Sequence, residues 1–406
     1  KKGEDIIVGA DRMYFAELVG GYEKQLRYVV KKLGMVMGKE DNPSDVLIAI
    51  NCCDGAQHGI TEKKLLNVTS YNTSVVSVTS LAKKYTTSNP SSILTWKQVV
   101  GDETMRNVVP AVSYVYQWLG ENVKDGVSDI LGRKVHHYEV HDGKMLYALT
   151  AHSSWNRLYH PFALCSCQRG EGVVDPDHKC RMLSDEEHMR LFEKSHVKFI
   201  EKKKENPYYD EERHRGCADK NLKGCTHFGF SPAELRRSSI RLDGFHLSCA
   251  MTRKLGDYLR QYIFRQTVEI QVEFNAMLVS FWGEFKFTWW TLDRPLAKIK
   301  GPELKIFIRN IKFMAEFLKC RLGTCEEAYR IAEALQLWHE IVPFLAIDNV
   351  KDKVAYPSKM TKFESDVKKL YAVGSKTFLS TEYVGDEEKF YSHALRFYMP
   401  YFARKA

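Results

Sequence analysis

Asp54 closes the run DVLIAINCCD, and Asp142 follows KVHHYEVH. Each acid stands at the end of a stretch that reads as a strand, the first of them short, apolar and β-branched enough to be buried. Carboxylates at the C-terminal ends of two adjacent strands can converge on one point at a sheet's edge, which is what a divalent-cation site needs. Oxygen ligands suit Mg²⁺ and Mn²⁺, and two such ions roughly 3.5 to 4 Å apart can steady the attacking and leaving oxygens of an in-line phosphoryl displacement. Asp is also an ordinary turn and cap residue, so the pair says more than either acid alone. Further on, RLDGFHLSCAMTRKLGDYLRQYI sets Asp243 to cap an amphipathic helix with His246 on its first turn. A capped helix with a histidine on its packing face fits the same residues.

A second chemistry is written in sulfur and imidazole. Cys165-x-Cys167, His178-x-Cys180, His214-x2-Cys217 and Cys225-x-His227 gather five of the ten cysteines into one stretch. Such density favours tetrahedral Zn²⁺, and a loop-rich segment with little core would gain much of its folding free energy from the metal. The expectation is structural zinc with ligands among Cys165, Cys167, His178, Cys180, Cys217 and His227, in one site or two. Thiols crowded among histidines point to a reducing compartment rather than a disulfide framework.

Basic residues thicken around Asp243: Arg236, Arg237, Arg241, Arg253, Lys254, Arg260 and Arg265. Such a face could neutralise DNA phosphates whatever the base sequence, with Arg241, Arg253, Lys254 and Arg260 nearest the motif, and a solvated helix face is the plainer account. Trp282, Trp289 and Trp290 could stack on an unpaired base, although aromatics so placed are more often core.

The elements that must position these groups follow from periodicity. Tyr14 to about Leu33 reads as a leading helix. Strands follow at Asp45 to Asp54, from Thr73 and from Ser92, an antiparallel meander. A helix runs from Thr104 to about Val123, its apolar residues on one face. A fourth strand then ends at His141 and Asp142, and Met145, Leu146 and Leu149 announce another helix. This order is how an RNase H-like fold begins. Periodicity fades from His160 to about Pro232, apart from a basic helix at Asp185 to Lys204, and returns as helix from Asp243 onward.

The bulk numbers agree with an ordered protein of two or three domains, since 44% of the 406 residues are apolar and 12% aromatic. No apolar run approaches the roughly 18 to 20 residues of a membrane span, so no membrane partner is expected. Sixty Lys and Arg against 51 Asp and Glu give a net charge of +9, which suits a polyanion without requiring one. The chain opens on Lys1, so it is expected to be a piece of a longer protein.

Taken with their order, Asp54 in INCCDGAQHG, Asp142 in YEVHDGKMLYALT, and Asp243 with His246 in LDGFH resemble the motifs of eukaryotic cut-and-paste transposases of the DDE superfamily. The run from HDGKMLYALTAHSSWNRLYHPF through CSCQRGEGVVDPDHKC to THFGF is similar to element-encoded proteins of the same kind, and the likeness spans roughly residues 45–400. The resemblance implies an α/β (α+β) fold: an RNase H-like core at 45–159, a Cys/His zinc-bearing insertion at 160–232, a core helix with the DxxH motif at 233–265, and a large helical C-terminal part at 266–406, after an N-terminal helical segment at 1–44. It implies DNA as partner, a nuclear location, and strand cleavage and transfer with Mg²⁺ or Mn²⁺ held by Asp54, Asp142 and a third acid. His246 would position a strand or steady the core. A homo-oligomer is compatible with this reading. No Glu after Lys300 stands in a recognisable motif; Glu316, Glu340, Glu364 and Glu382 all fit solvated faces or caps, and the third acid is expected beyond Ala406. A relative that binds DNA or a protein without chemistry would need no third acid. An unrelated zinc hydrolase ranks last, lacking His-Glu-x-x-His or Gly-x-Ser-x-Gly.

Overall fold

A computed structural model describes residues 6–8, 11–17, 21–37, 46–61, 64–77, 93–100, 105–152, 160, 162–168, 178–209, 220–227, 229–282, 301–345, 356–379 and 390–405. The chain divides into two compact units: Lys1–Gln168 with Cys180–Leu242, and Arg169–Lys179 with Asp243–Ala406. No helix of the described residues is long and apolar enough to cross a membrane.

The first unit is built on one mixed sheet. Its strands are β1 (Ile6–Val8), β2 (Asp11–Glu17), β3 (Leu47–Thr61), β4 (Lys64–Ser77), β5 (Ile93–Val100), β6 (Val127–Ile130), β7 (Arg133–His141) and β8 (Ile240–Leu242), in the order β1-β2-β5-β4-β3-β7-β6, with β8 also on β7. β3, β4 and β5 form an antiparallel meander. β7 lies parallel to β3, and β8 parallel to β7. The helices of this unit are α1 (Gly21–Met37), α2 (Met105–Asn122), α3 (Gly143–Leu149) and α4 (Asp185–Glu205). Tyr22, Leu26, Val29 and Val30 recur at helical spacing and bury the inner stripe of α1. Along β7 every odd residue from Arg133 to His141 is buried, the period of two that a half-covered strand shows.

Three expectations change. The N-terminal segment is not helical throughout: β1 and β2 precede α1, and β2 is held by antiparallel pairing of Tyr14–Glu17 with Lys97–Val100. That partner lies far along the chain, where local periodicity carries no trace of it. The first core strand does not stop at Asp54; β3 runs on to Thr61 and turns back at Lys64 into β4, so Asp54 faces Ser70 inside a hairpin. Gly55–Thr61 has no apolar alternation to betray it, and its backbone pairs with Lys64–Thr69 of β4. The third change is at 233–265, expected as one piece of core. β8 joins the first unit through β7, whereas the helix after it belongs to the second.

That second unit is helical: α5 (Gly244–Phe264), α6 (Val268–Trp282), α7 (Gly301–Leu322), α8 (Glu326–Ile341), α9 (Tyr356–Gly374), α10 (Phe390–His393), a π turn at Ala394–Tyr398, and α11 (Met399–Lys405). Leu247, Met251, Leu255 and Leu259 draw the buried stripe of α5. Trp338 of α8 is buried with its indole N–H donating to Thr252 Oγ1 at 2.8 Å, which gives the one polar atom of a large core side chain its partner.

Candidate functional site

The parallel register of β3 and β7 runs from Leu47 opposite Val135 to Asn51 opposite Glu139. The pairing ends there; Asp54 lies three residues beyond Asn51 on β3, paired with Ser70 of β4, and Asp142 lies three residues beyond Glu139, past the end of β7. Asp142 is the N-cap of α3, where its Oδ1 accepts the Met145 N–H at 2.7 Å. One of its two carboxylate oxygens is therefore engaged in capping.

Behind that edge lies a row of buried polar groups. Thr73 of β4, Asn51 of β3 and Glu139 of β7 stand directly opposite one another. Asn51 Oδ1 accepts from Thr73 Oγ1 at 2.6 Å and from Tyr22 of α1 at 3.1 Å. Asn51 Nδ2 donates to Glu139 Oε1 at 2.7 Å, and the Tyr116 hydroxyl of α2 donates to Oε2 at 2.8 Å. His141 Nε2 sits 2.9 Å from the same Oε2. Glu139 is only 2% exposed. Burial first, and then the Glu139 carboxylate beside it, push the Tyr116 hydroxyl well above its ordinary range, so Tyr116 stays a donor. These residues were not singled out from the sequence. The signal was there: His137, Glu139 and His141 share the parity of apolar Val135 on a strand whose inward face also takes Arg133.

The second constellation is a cluster of thiols. Cys165 pairs as an isolated bridge with Met182, Ser166 N donates to Arg181 O at 3.1 Å, and Leu183 N to Leu164 O at 3.1 Å. This short ladder, continued into α4 by the capping box of Ser184 and Glu187, brings Cys165, Cys167 and Cys180 together with sulfurs within 4.8 Å of one another. A tetrahedral zinc with bonds of about 2.3 Å has edges of about 3.8 Å, so the cluster could hold such an ion with little movement. The Cys180 thiol is pushed far up, first by hydrogen bonding to Cys165 and Cys167 and then by burial. Thiols so close cannot all ionise alone, and a cation would reverse that. Of the other expected ligands, His178 packs edge-on against Phe397 in the second unit, and His227 stacks on Phe199 at 3.5 Å in the first. Cys217 and His214 lie outside the described residues, and Cys225 forms a backbone bridge with His152.

In the second unit, Asp243 caps α5 as the sequence suggests, accepting from the N–H groups of Phe245 at 2.8 Å and His246 at 3.1 Å. Its Oδ2 lies 2.6 Å from His246 Nδ1. Burial alone would raise this carboxyl, but the His246 ring and the two backbone N–H groups outweigh it and hold the carboxyl below its usual range. The basic cluster is less open than its composition suggests. Arg260 is buried and paired with Asp257 at 2.9 Å, and Lys254 donates to Ser392 Oγ at 2.8 Å. Arg253 is exposed. In the first unit Arg241 lies over the Tyr138 ring and donates to Ser238 and Ile240 carbonyls. Trp289 and Trp290 are outside the described residues.

Among the glutamates considered for a third acid, Glu316 is exposed, Glu340 pairs with Lys362, Glu364 pairs with Arg404, and Glu382 lies outside the described residues. No family model matches this chain, and no curated protein sequence matches it.

Proposed function

We propose that the chain is the catalytic region of a DDE-type DNA transposase, with Asp54 and Asp142 as two of the carboxylates that hold Mg²⁺ or Mn²⁺ for DNA strand cleavage and transfer in the nucleus. The observation that carries this reading is the strand order. A three-stranded antiparallel meander, then one helix, then a β6–β7 hairpin whose second strand lies parallel to β3, and later β8 parallel to β7, resembles the connection order of an RNase H-like sheet, to which β1, β2 and β6 are additions. Neighbouring strands lie about 4.8 Å apart, so acids three residues past the last paired positions of β3 and β7 would be within reach of one cation if the register continued. A cation bound there would polarise a phosphodiester and steady the oxygens entering and leaving it. The thiol cluster would hold structural zinc.

The exposed or paired state of Glu316, Glu340 and Glu364 favours a second reading, a transposon-derived protein that binds DNA or a protein partner without cutting. Both readings meet in one experiment on the whole chain: binding to a mixed-sequence duplex across a salt series, and nicking of supercoiled plasmid with Mn²⁺. The transposase reading expects affinity to fall steeply with salt, nicking that a chelator stops, and on the order of a 100-fold loss of nicking in Asp54→Asn and Asp142→Asn. Salt-dependent binding without nicking would select the inactive relative. Salt-insensitive binding, or none, would overturn both DNA readings.

A further inference from the structure

We propose that Glu139 is a positioning carboxylate, locking β3 against β7 in the register that puts Asp54 and Asp142 each three residues past the locked pair; this rests on the reading of that edge as a cation site. Side chains alternate along strands, so a slip of two residues would return every inward residue to the inward face. Leu47, Ala49 and Cys53 on β3 and Val135 on β7 are all buried. Apolar packing therefore discriminates weakly against such a slip. The polar row discriminates strongly. Asn51 and Glu139 face each other directly and share a 2.7 Å hydrogen bond. On the far side of Asn51, Thr73 repeats the lock toward β4 at 2.6 Å. Tyr22 and Tyr116 tie the same row to α1 and α2.

A slip of two residues would set Glu139 opposite Ala49 or Cys53 in place of Asn51 and break the 2.7 Å bond from Asn51 Nδ2, leaving a buried carboxyl oxygen and a buried amide without that match. It would also carry Asp54 about 6.6 Å along the sheet, where ligand bonds near 2 Å no longer reach a shared ion. A buried polar row is by itself weak evidence for stability. Register is the property for which this row is needed.

The test uses Mn²⁺ alone as probe, with affinity read by electron paramagnetic resonance and folding by urea denaturation. Asn51→Leu/Glu139→Leu is expected to fold with a lowered midpoint, because Thr73, Tyr22, Tyr116 and His141 lose their partners, and to bind Mn²⁺ about tenfold more weakly or worse. Glu139→Gln, which can still accept from Asn51, is expected to stay within about threefold of the original affinity. Equal Mn²⁺ affinity in the leucine pair would overturn the lock. So would a leucine pair that fails to fold while the original chain binds Mn²⁺, because the row would then be structural only. Failure of the edge itself looks different: the original chain would not bind Mn²⁺, or Asp142→Asn would bind it equally well.

Discussion

His137 shows how much a single buried side chain can weigh. It lies on the inward face of β7, 4% exposed, with Nε2 at 2.7 Å from Ser128 Oγ. Burial, and then the nearby His136, lower its proton affinity to a pKa of about 4 from 6.5. The native state therefore resists protonation where the unfolded chain accepts it. Between these two values the unfolded state binds more protons, so stability is fully present above about pH 6.5 and is lost as pH falls toward about 4. The shift corresponds to about 3 kcal/mol as an upper figure. Urea denaturation from pH 7 to pH 4 should show this fall, and His137→Gln should flatten it. His188, lowered to about 3 chiefly by burial and next by Arg237, should leave a residual slope in that variant. An unchanged slope in His137→Gln would show that other groups carry the acid sensitivity. The sequence offered His137 only as one of two adjacent histidines in a strand. Which of them faces inward depends on the sheet's covering helices, and these are set by residues far along the chain.

Among the elements, those with strong local signals were the legible ones. The expected helix from Thr104 to about Val123 corresponds to α2, and the expected basic helix Asp185 to Lys204 to α4. The strands expected at Ser92 and at KVHHYEV are β5 and β7. β1, β2 and β6 were not legible, because three to seven residues with no strict alternation become strands only when a partner supplies hydrogen bonds. The site divides in the same way. Thiols are rare and their clustering is visible, so Cys165, Cys167 and Cys180 could be singled out together. The exit of His178 and His227 from that group depends on where loops travel, which spacing does not record. α4 itself owes its start to a reciprocal cap: Ser184 Oγ accepts from Glu187 N at 3.2 Å, and Glu187 Oε2 accepts from Ser184 N at 3.0 Å. Ser184→Ala should therefore cost about 1 kcal/mol in urea denaturation, and should loosen the adjoining Cys180–Leu183 ladder in hydrogen exchange. A loss below about 0.3 kcal/mol would mean that the docking of Asp185 onto Arg237 and Ser238 holds the helix start by itself.

At the scale of the whole molecule, the zinc reading makes a demand on purified protein. It should carry zinc, and Cys165→Ser, Cys167→Ser and Cys180→Ser should each reduce the content to below about a tenth of the original. A chelator should expose the segment around Cys165–Leu183 to proteases before the sheet unfolds. A folded sample without zinc, indifferent to chelation, would sink the assignment. The spacing of those sulfurs along the chain has a further consequence. Cys167 and Cys180 stand thirteen positions apart. A metal gripping both would be a clasp on the stretch between them, and closing a loop of this size removes about 3 kcal/mol of freedom from the unfolded chain. With the clasp shut, even a severed backbone between the two cysteines would leave both cut ends fastened to the same ion.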